Sequence, residues 1–242
     1  MSWVKQFNWA LAVIDLFLSC GNTSVSGNFM RTIAENFQII IDKQNSMDYN
    51  FPKILQAPAN TFQINLAELS LDLKFNLELN ELYRFANGTK LDEVSELTLG
   101  MIGLIPIHTF LNLGEAVRYY NTYIKNTDNS LSDFFLNFQT EYRPGKKLFP
   151  FLEDSAGNCY WVDLNVDTEN YQRIFWTNTF GEEPGYAFNS LTSMFQTIAD
   201  CYENNVMTVD EEKNLECDYA KFYRIAKQNN PNIKHWDTYI HD

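Results

Sequence analysis

Residues 148–165, LFPFLEDSAGNCYWVDLN, contain an aromatic arm, two adjacent acids, a Gly157-Asn158 turn signal and a second apolar arm. Two apolar runs separated by turn residues read as a β-hairpin, with KLFPFL and NCYWVDL as its strands. In the second arm, alternation puts Tyr160, Val162 and Leu164 on one face, and Cys159, Trp161 and Asp163 on the other. YQRIFWT supplies a third strand in which Arg173, Phe175 and Thr177 share a face, so Asp163 is expected to form a cross-strand ion pair with Arg173. The acids beside these aromatics allow two readings. Either they do chemistry, or they rim a surface that another molecule fits.

Before the hairpin, Phe29, Ile33, Phe37, Ile40 and Ile41 form one stripe of a helix lasting to about Lys43. Two shorter helical pieces follow from Leu66, NLAELSLDL and LELNELYRFA, the second stopped by Asn87-Gly88. GLIPIHTF is short and apolar, which predicts a strand with Pro106 at its edge or end. Asn112 with Glu115 three residues later predicts an N-cap and a helix with Leu113, Ala116, Val117, Tyr120 and Ile124 on one face. Residues 130–142 read as a further helical piece, and GEEPGYAF reads as a loop. Ser190 is expected to cap a helix burying Leu191, Met194, Phe195, Ile198, Ala199 and Tyr202. Asp210 is expected to open a last helix through Leu215, Tyr219, Phe222 and Tyr223, ended by Asn229-Asn230-Pro231. Strands in the middle with helices at both ends make an α+β fold rather than an alternating βαβ one. The expected organisation is a helical extension over residues 1–60 and an α+β domain over 61–242 that includes the C-terminal helix.

The 242 residues are 45% hydrophobic and 15% aromatic, enough to bury a sizeable core. The formal charge of −13 argues against binding nucleic acid through its phosphates. Residues 149–218 contain fourteen Asp and Glu against only Arg173 and Lys213, so nearly all the excess acidity lies there. Four cysteines without a CxxC pair, and three histidines distant from them, argue against a structural zinc site or a disulfide framework. Residues 9–20, WALAVIDLFLSC, look at first like a lipoprotein-type signal. Asp15 in the middle, a single Lys5 before it and Phe17-Leu18 ahead of the cysteine oppose that. The segment is too short to span a bilayer, and Trp9, Val13, Leu16, Phe17 and Cys20 fit an amphipathic helix. A cytoplasmic protein is expected.

Catalytic patterns are missing from the sequence. There is no GxSxG elbow, no GxxxxGK[ST] loop, no GxGxxG and no HExxH. Acids flank Cys159 and would raise its pKa, Ser155 lacks a nearby base, and His108 follows an apolar run as a packed residue would. The doublets Glu153-Asp154 and Glu182-Glu183 suggest a glycosidase pair only superficially, because adjacent strand residues point to opposite faces. No catalytic residue, cofactor or metal ligand is expected.

Four motifs in order resemble the SUKH superfamily, which contains many bacterial toxin-immunity proteins and a fungal regulator of cell-wall assembly. They are ELNELYRFANGT (78–89), IGLIPIHTFLNLGEAVRYYN (102–121), the opening hairpin (148–165) and FNSLTSMFQTIADCY (188–202). The resemblance spans about residues 66–204. It implies a non-enzymatic binding domain with a central twisted, mainly antiparallel sheet flanked by helices, acting in the cytosol against a cognate toxin. Many toxins bound by the family are nucleases, and a basic nuclease cleft is complemented by an acidic, aromatic surface. On that expectation the partner-binding residues are Glu153, Asp154, Tyr160, Asp167, Glu169, Glu182, Glu183 and Tyr186. Two other classes remain: a cytosolic adaptor or regulator on the same fold, and a carboxylate-dependent hydrolase.

Overall fold

The computed structural model describes residues 31–90, 97–125, 147–178 and 184–240. The segments 9–20 and 130–142, together with Phe29, Glu182 and Glu183, lie outside them.

Helix α1 (Ile33–Ser46) starts where Thr32 and Glu35 close a capping box, and it buries Ile33, Phe37 and Ile40 at the predicted spacing. Helix α2 (Thr61–Leu71) begins earlier than its apolar pattern suggests, because Asn60 and Gln63 form a second capping box. Helix α3 (Leu77–Phe85) is capped by Asn76, whose Oδ1 accepts from Leu79 N at 2.8 Å. The run GLIPIHTF is not a continuous strand. Only β1 (Thr109–Phe110) joins the sheet. Ahead of it the chain folds back, with His108 N donating to Ile105 O and Leu104 N to His108 O, and Ile107 takes a φ of 61°. Pro106 sits in that turn, where its missing N–H costs no ladder bond. The Asn112–Glu115 capping box then opens α4 (Leu113–Tyr120) as predicted, and the chain continues as a π turn over Asn121–Lys125.

The predicted hairpin is β2 (Leu148–Glu153) and β3 (Cys159–Asp163), joined in antiparallel register with Phe149 opposite Val162. The third strand, β4 (Ile174–Thr177), pairs with β3. Part of GEEPGYAF departs from the expected loop: Gly185–Phe188 form β5, which closes a five-stranded antiparallel sheet in the order β1-β2-β3-β4-β5. Pro184 precedes this strand and Gly185 opens it, while Tyr186, Ala187 and Phe188 supply buried side chains that hold it.

Ser190 caps α5 (Leu191–Glu203) as expected, and the Glu78 carboxylate adds to the cap from α3, accepting from Leu191 N at 2.9 Å and Thr192 Oγ1 at 2.6 Å. The last helix starts later than predicted. Met207–Val209 (β6) and Leu215–Cys217 (β7) form a separate antiparallel hairpin across the turn at 210–214. Helix α6 (Tyr219–Asn229) follows, capped by Asp218.

An aromatic column ties helices to sheet. Phe195 of α5 meets Phe37 of α1 at 5.2 Å, Phe37 meets Phe110 of β1 at 6.0 Å, and Tyr83 of α3 lies between Phe110 (5.4 Å) and Phe149 of β2 (6.0 Å). Alternation sends Trp161 to the opposite sheet face, where Tyr119 of α4 meets it at 5.6 Å. With both faces covered, every residue of β2 and β3 is buried. The protein is therefore α+β, a central antiparallel sheet flanked by helices.

Candidate functional site

The two acids of the opening hairpin are not free. Asp154 is buried and organises the turn, its Oδ1 accepting from Ala156 N and Asn158 N, each at 2.9 Å, and its Oδ2 from Asn158 Nδ2. Glu153 is also buried and accepts from Ser155 N at 2.6 Å, with Thr109 and Ser155 hydroxyls at 3.4 Å. A residue at φ 60° (Ser155) and Gly157 at φ 98° let the chain wrap around the carboxylates. Both acids stabilise a tight turn by accepting backbone N–H groups, the ordinary work of an Asx-type turn.

The neighbouring groups are poor nucleophiles and bases. Burial, then Glu153 and Asp154, push the Cys159 thiol well above its ordinary range, so it stays a thiol. Burial pulls His108 below its ordinary value; its Nδ1 lies 2.9 Å from the Pro106 carbonyl, and its Nε2 finds no partner among the described residues. Among those residues no cluster of three His, Cys, Asp or Glu could hold a metal ion.

The expected Asp163–Arg173 ion pair does not form. Their backbones do face each other: Asp163 N donates to Arg173 O at 2.9 Å, and Gln172 N to Asp163 O at 2.7 Å. With Gln172 at φ 74°, this is a bulge of the G1 type, in which two residues oppose one. The extra residue parts the side chains. Asp163 turns inward and accepts from Tyr186 Oη at 2.6 Å and Asn165 N at 2.8 Å, while Arg173 Nη1 donates to Asn170 Oδ1 at 2.7 Å. Burial raises the pKa of Asp163, with the Tyr186 and Asn165 hydrogen bonds opposing it.

The predicted binding residues therefore separate. Glu153 and Asp154 lie at one end of β2–β3, and Asp167 and Glu169 lie in the β3–β4 loop at the other. Tyr160 and Tyr186 are both buried, so neither presents its ring as an exposed anchor. Glu169 and Tyr186 do share a cleft of about 350 Å³ with Asn170, Arg173, Asn232, Ile233 and Lys234. Asp167 and Glu169 are exposed, and Asp167 has Lys147 Nζ at 3.4 Å.

A second acidic surface was not anticipated. The β6–β7 hairpin displays Glu211, Glu212 and Glu216 to solvent, and beside it a hollow of about 530 Å³ is lined by Pro106, Asn205, Val206, Thr208, Leu215, Glu216, Cys217, Asp218 and Tyr219. Tyr219 is 52% exposed there, with Tyr223 behind it at 6.0 Å between ring centroids. The sequence signal was present: Val206 to Val209 and Leu215 to Cys217 bracket a polar DEEKN turn in which Lys213 takes φ 68°. The helical spacing of Leu215, Tyr219, Phe222 and Tyr223 concealed it.

Among the described residues no helix is long and apolar enough to cross a membrane. No curated protein matches the chain. The model of the SMI1 / KNR4 family (SUKH-1) matches residues 58–197, from the approach to α2 into α5, a span that holds the whole central sheet. The landmarks within that span are structural. Tyr83 Oη donates to Leu111 O, Asn87 Oδ1 accepts from Leu113 N at the start of α4, Asp163 receives Tyr186, and Ser190 caps α5. Matched over more than half its length by residues that build its scaffold, the chain belongs to the SMI1 / KNR4 family (SUKH-1).

Proposed function

We propose that this protein is a non-enzymatic immunity protein that neutralises a basic toxin by occupying it. The family is generally non-catalytic and points to protein–protein interaction. The observation that carries the reading here is the hollow beside β6–β7, which the exposed Tyr219 lines together with Glu216 and Asp218. Tyrosine is among the residue types that anchor interfaces, and surrounding carboxylates steer a cationic partner while excluding phosphate from its cleft. Asp167 and Glu169 form a separate exposed acidic pair on the β3–β4 loop, and a nuclease is the toxin class best matched to the acidic charge. The site of action under this reading is the cytoplasm.

The test starts with affinity capture from the native cell and mass spectrometry, to identify a basic protein bound by the chain. Tyr219→Ala is then expected to weaken that complex at least tenfold, and Glu211→Lys with Glu216→Lys to slow association severalfold, with the melting temperature little changed. Wild-type binding after all three substitutions would reject this surface. Turnover of an ester, glycoside or phosphoester by the purified chain would reject the non-enzymatic reading.

A further inference from the structure

Helix α2 is apolar on two opposite sides. One side buries Ile64, Ala67 and Leu71 in the core. The other carries Phe62, Leu66 and Leu69 at i, i+4 and i+7, exposed by 73%, 51% and 80%. At about 100° per residue these three lie within about 60° of arc, directly opposite the buried set. Packing to the core accounts for the first side and leaves the second unexplained, and a contiguous exposed apolar stripe of this kind marks an interaction surface.

Charge selects the occupant. The chain has a formal charge of −13, so two copies repel wherever charged faces meet. The α2 stripe is free of charge. The one ionisable residue of the helix, Glu68, lies off the stripe and is held by Lys74 Nζ at 2.8 Å and Phe75 N at 2.8 Å. Arg84 reaches only to Thr61 Oγ1, at the first turn. A cationic partner gains nothing from this face, whereas a second copy meets no like charge on the stripe itself. The spacing is also self-complementary. In an antiparallel pair of α2 helices, Phe62 of one copy meets Leu69 of the other, and the two Leu66 side chains flank the two-fold axis, as an isologous interface requires.

We infer that the exposed stripe of α2, formed by Phe62, Leu66 and Leu69, is the two-fold interface through which two copies of this chain self-associate. The stripe is only two turns long, about 10 Å. It is far smaller than a standard stable interface, so the dimer forms weakly and reversibly. Because apolar contact drives it against like-charge repulsion, it strengthens as salt rises.

Sedimentation velocity of the full chain from about 1 to 500 μM, in about 50 and 500 mM sodium chloride, tests this. The expected result is a monomer–dimer transition within that range whose dissociation constant falls at least threefold at the higher salt. Leu66→Glu and, separately, Leu69→Glu should each weaken association at least tenfold. A circular-dichroism melt accompanies each variant; Leu69, the more exposed of the two, serves as the readout if Leu66→Glu disturbs the fold. A chain that stays monomeric throughout overturns the inference. So does association that survives both substitutions, or association that weakens with salt.

Discussion

Asp163 shows how the fold redirects a charge. Its carboxylate is buried against Tyr186 Oη and Asn165 N, and burial raises its pKa. Asp163→Ala removes the carboxylate that accepts from the buried Tyr186 hydroxyl and from Asn165 N, so a loss of about 2–3 kcal/mol is expected in urea melts at pH 7. Asp163→Asn keeps an acceptor and sheds the buried charge, which should leave it within about 1 kcal/mol of wild type. A raised folded-state pKa means that the folded protein takes up this proton before the unfolded chain does. Stability from Asp163 is therefore gained as pH falls through the raised value and is lost as pH rises through it. Melts of wild type and Asp163→Asn across that range should move in favour of wild type on acidification, and a constant difference would contradict the assignment. His235 works in the opposite direction. Enclosed by Trp176 at 5.3 Å, Trp236 at 4.6 Å and Tyr239 at 5.3 Å, it is pulled down by burial to about 4. The unfolded chain then protonates first, so stability falls between about pH 6.5 and 4. His235→Phe, which can still fill the aromatic enclosure, should flatten that slope. A remainder should persist from His108, whose pKa burial also lowers.

At the scale of elements, the junction between α3 and α4 carries an exacting demand. Gly88 has φ 72°, and a Cβ there would stand 2.3 Å from Asn112 N, the backbone of the residue that caps α4. No side chain can move aside to relieve that contact. Gly88→Ala is expected to destabilise by about 3 kcal/mol or more, combining left-handed strain with displacement of the helix start. Chemical denaturation measures it, and a loss below about 1 kcal/mol would mean that α4 shifts freely. The neighbouring Asn87 accepts from Leu113 N, so the Asn-Gly pair that ends one helix also positions the next. The opening hairpin has the same character: its acids, which invite a functional reading, are occupied in holding the turn.

At the scale of the whole molecule, the described residues include an acidic surface and an uncharged one. Acids on the β6–β7 hairpin and the β3–β4 loop face solvent, whereas the α2 stripe is apolar and uncharged. An acidic surface and an uncharged apolar one predict opposite salt responses from one protein. Affinity for the basic partner proposed above should fall between about 50 and 500 mM salt, as screening shortens the reach of the exposed acids. Self-association through α2 should rise over the same range. Isothermal titration with the captured partner, beside sedimentation of the chain alone, separates the two, and slopes of the same sign would show that one surface serves both.

The elements that could be read from the sequence are those stabilised by neighbours in the chain. Thr32 with Glu35, Asn112 with Glu115 and Ser190 with Ser193 close their caps within four residues, and the apolar spacing of α1 and α5 follows the helical period. The β2–β3 hairpin was legible because its turn residues lie between two apolar arms. Strand β5 and the fold-back at residues 103–108 were not, since pairing energy comes from a partner strand that local spacing does not name, and the β6–β7 hairpin was masked by the helical spacing that runs through Leu215. The Asp163–Arg173 pairing failed on a single extra residue, Gln172, because a one-residue bulge redirects the side chains that follow it. The candidate site divides along the same line. Sequence alone established the family, the α+β class and where the acidic residues fall along the chain. Only the tertiary structure decided which acids are spent on backbone N–H groups inside the protein and which remain available to a partner, because burial depends on what the rest of the chain brings alongside.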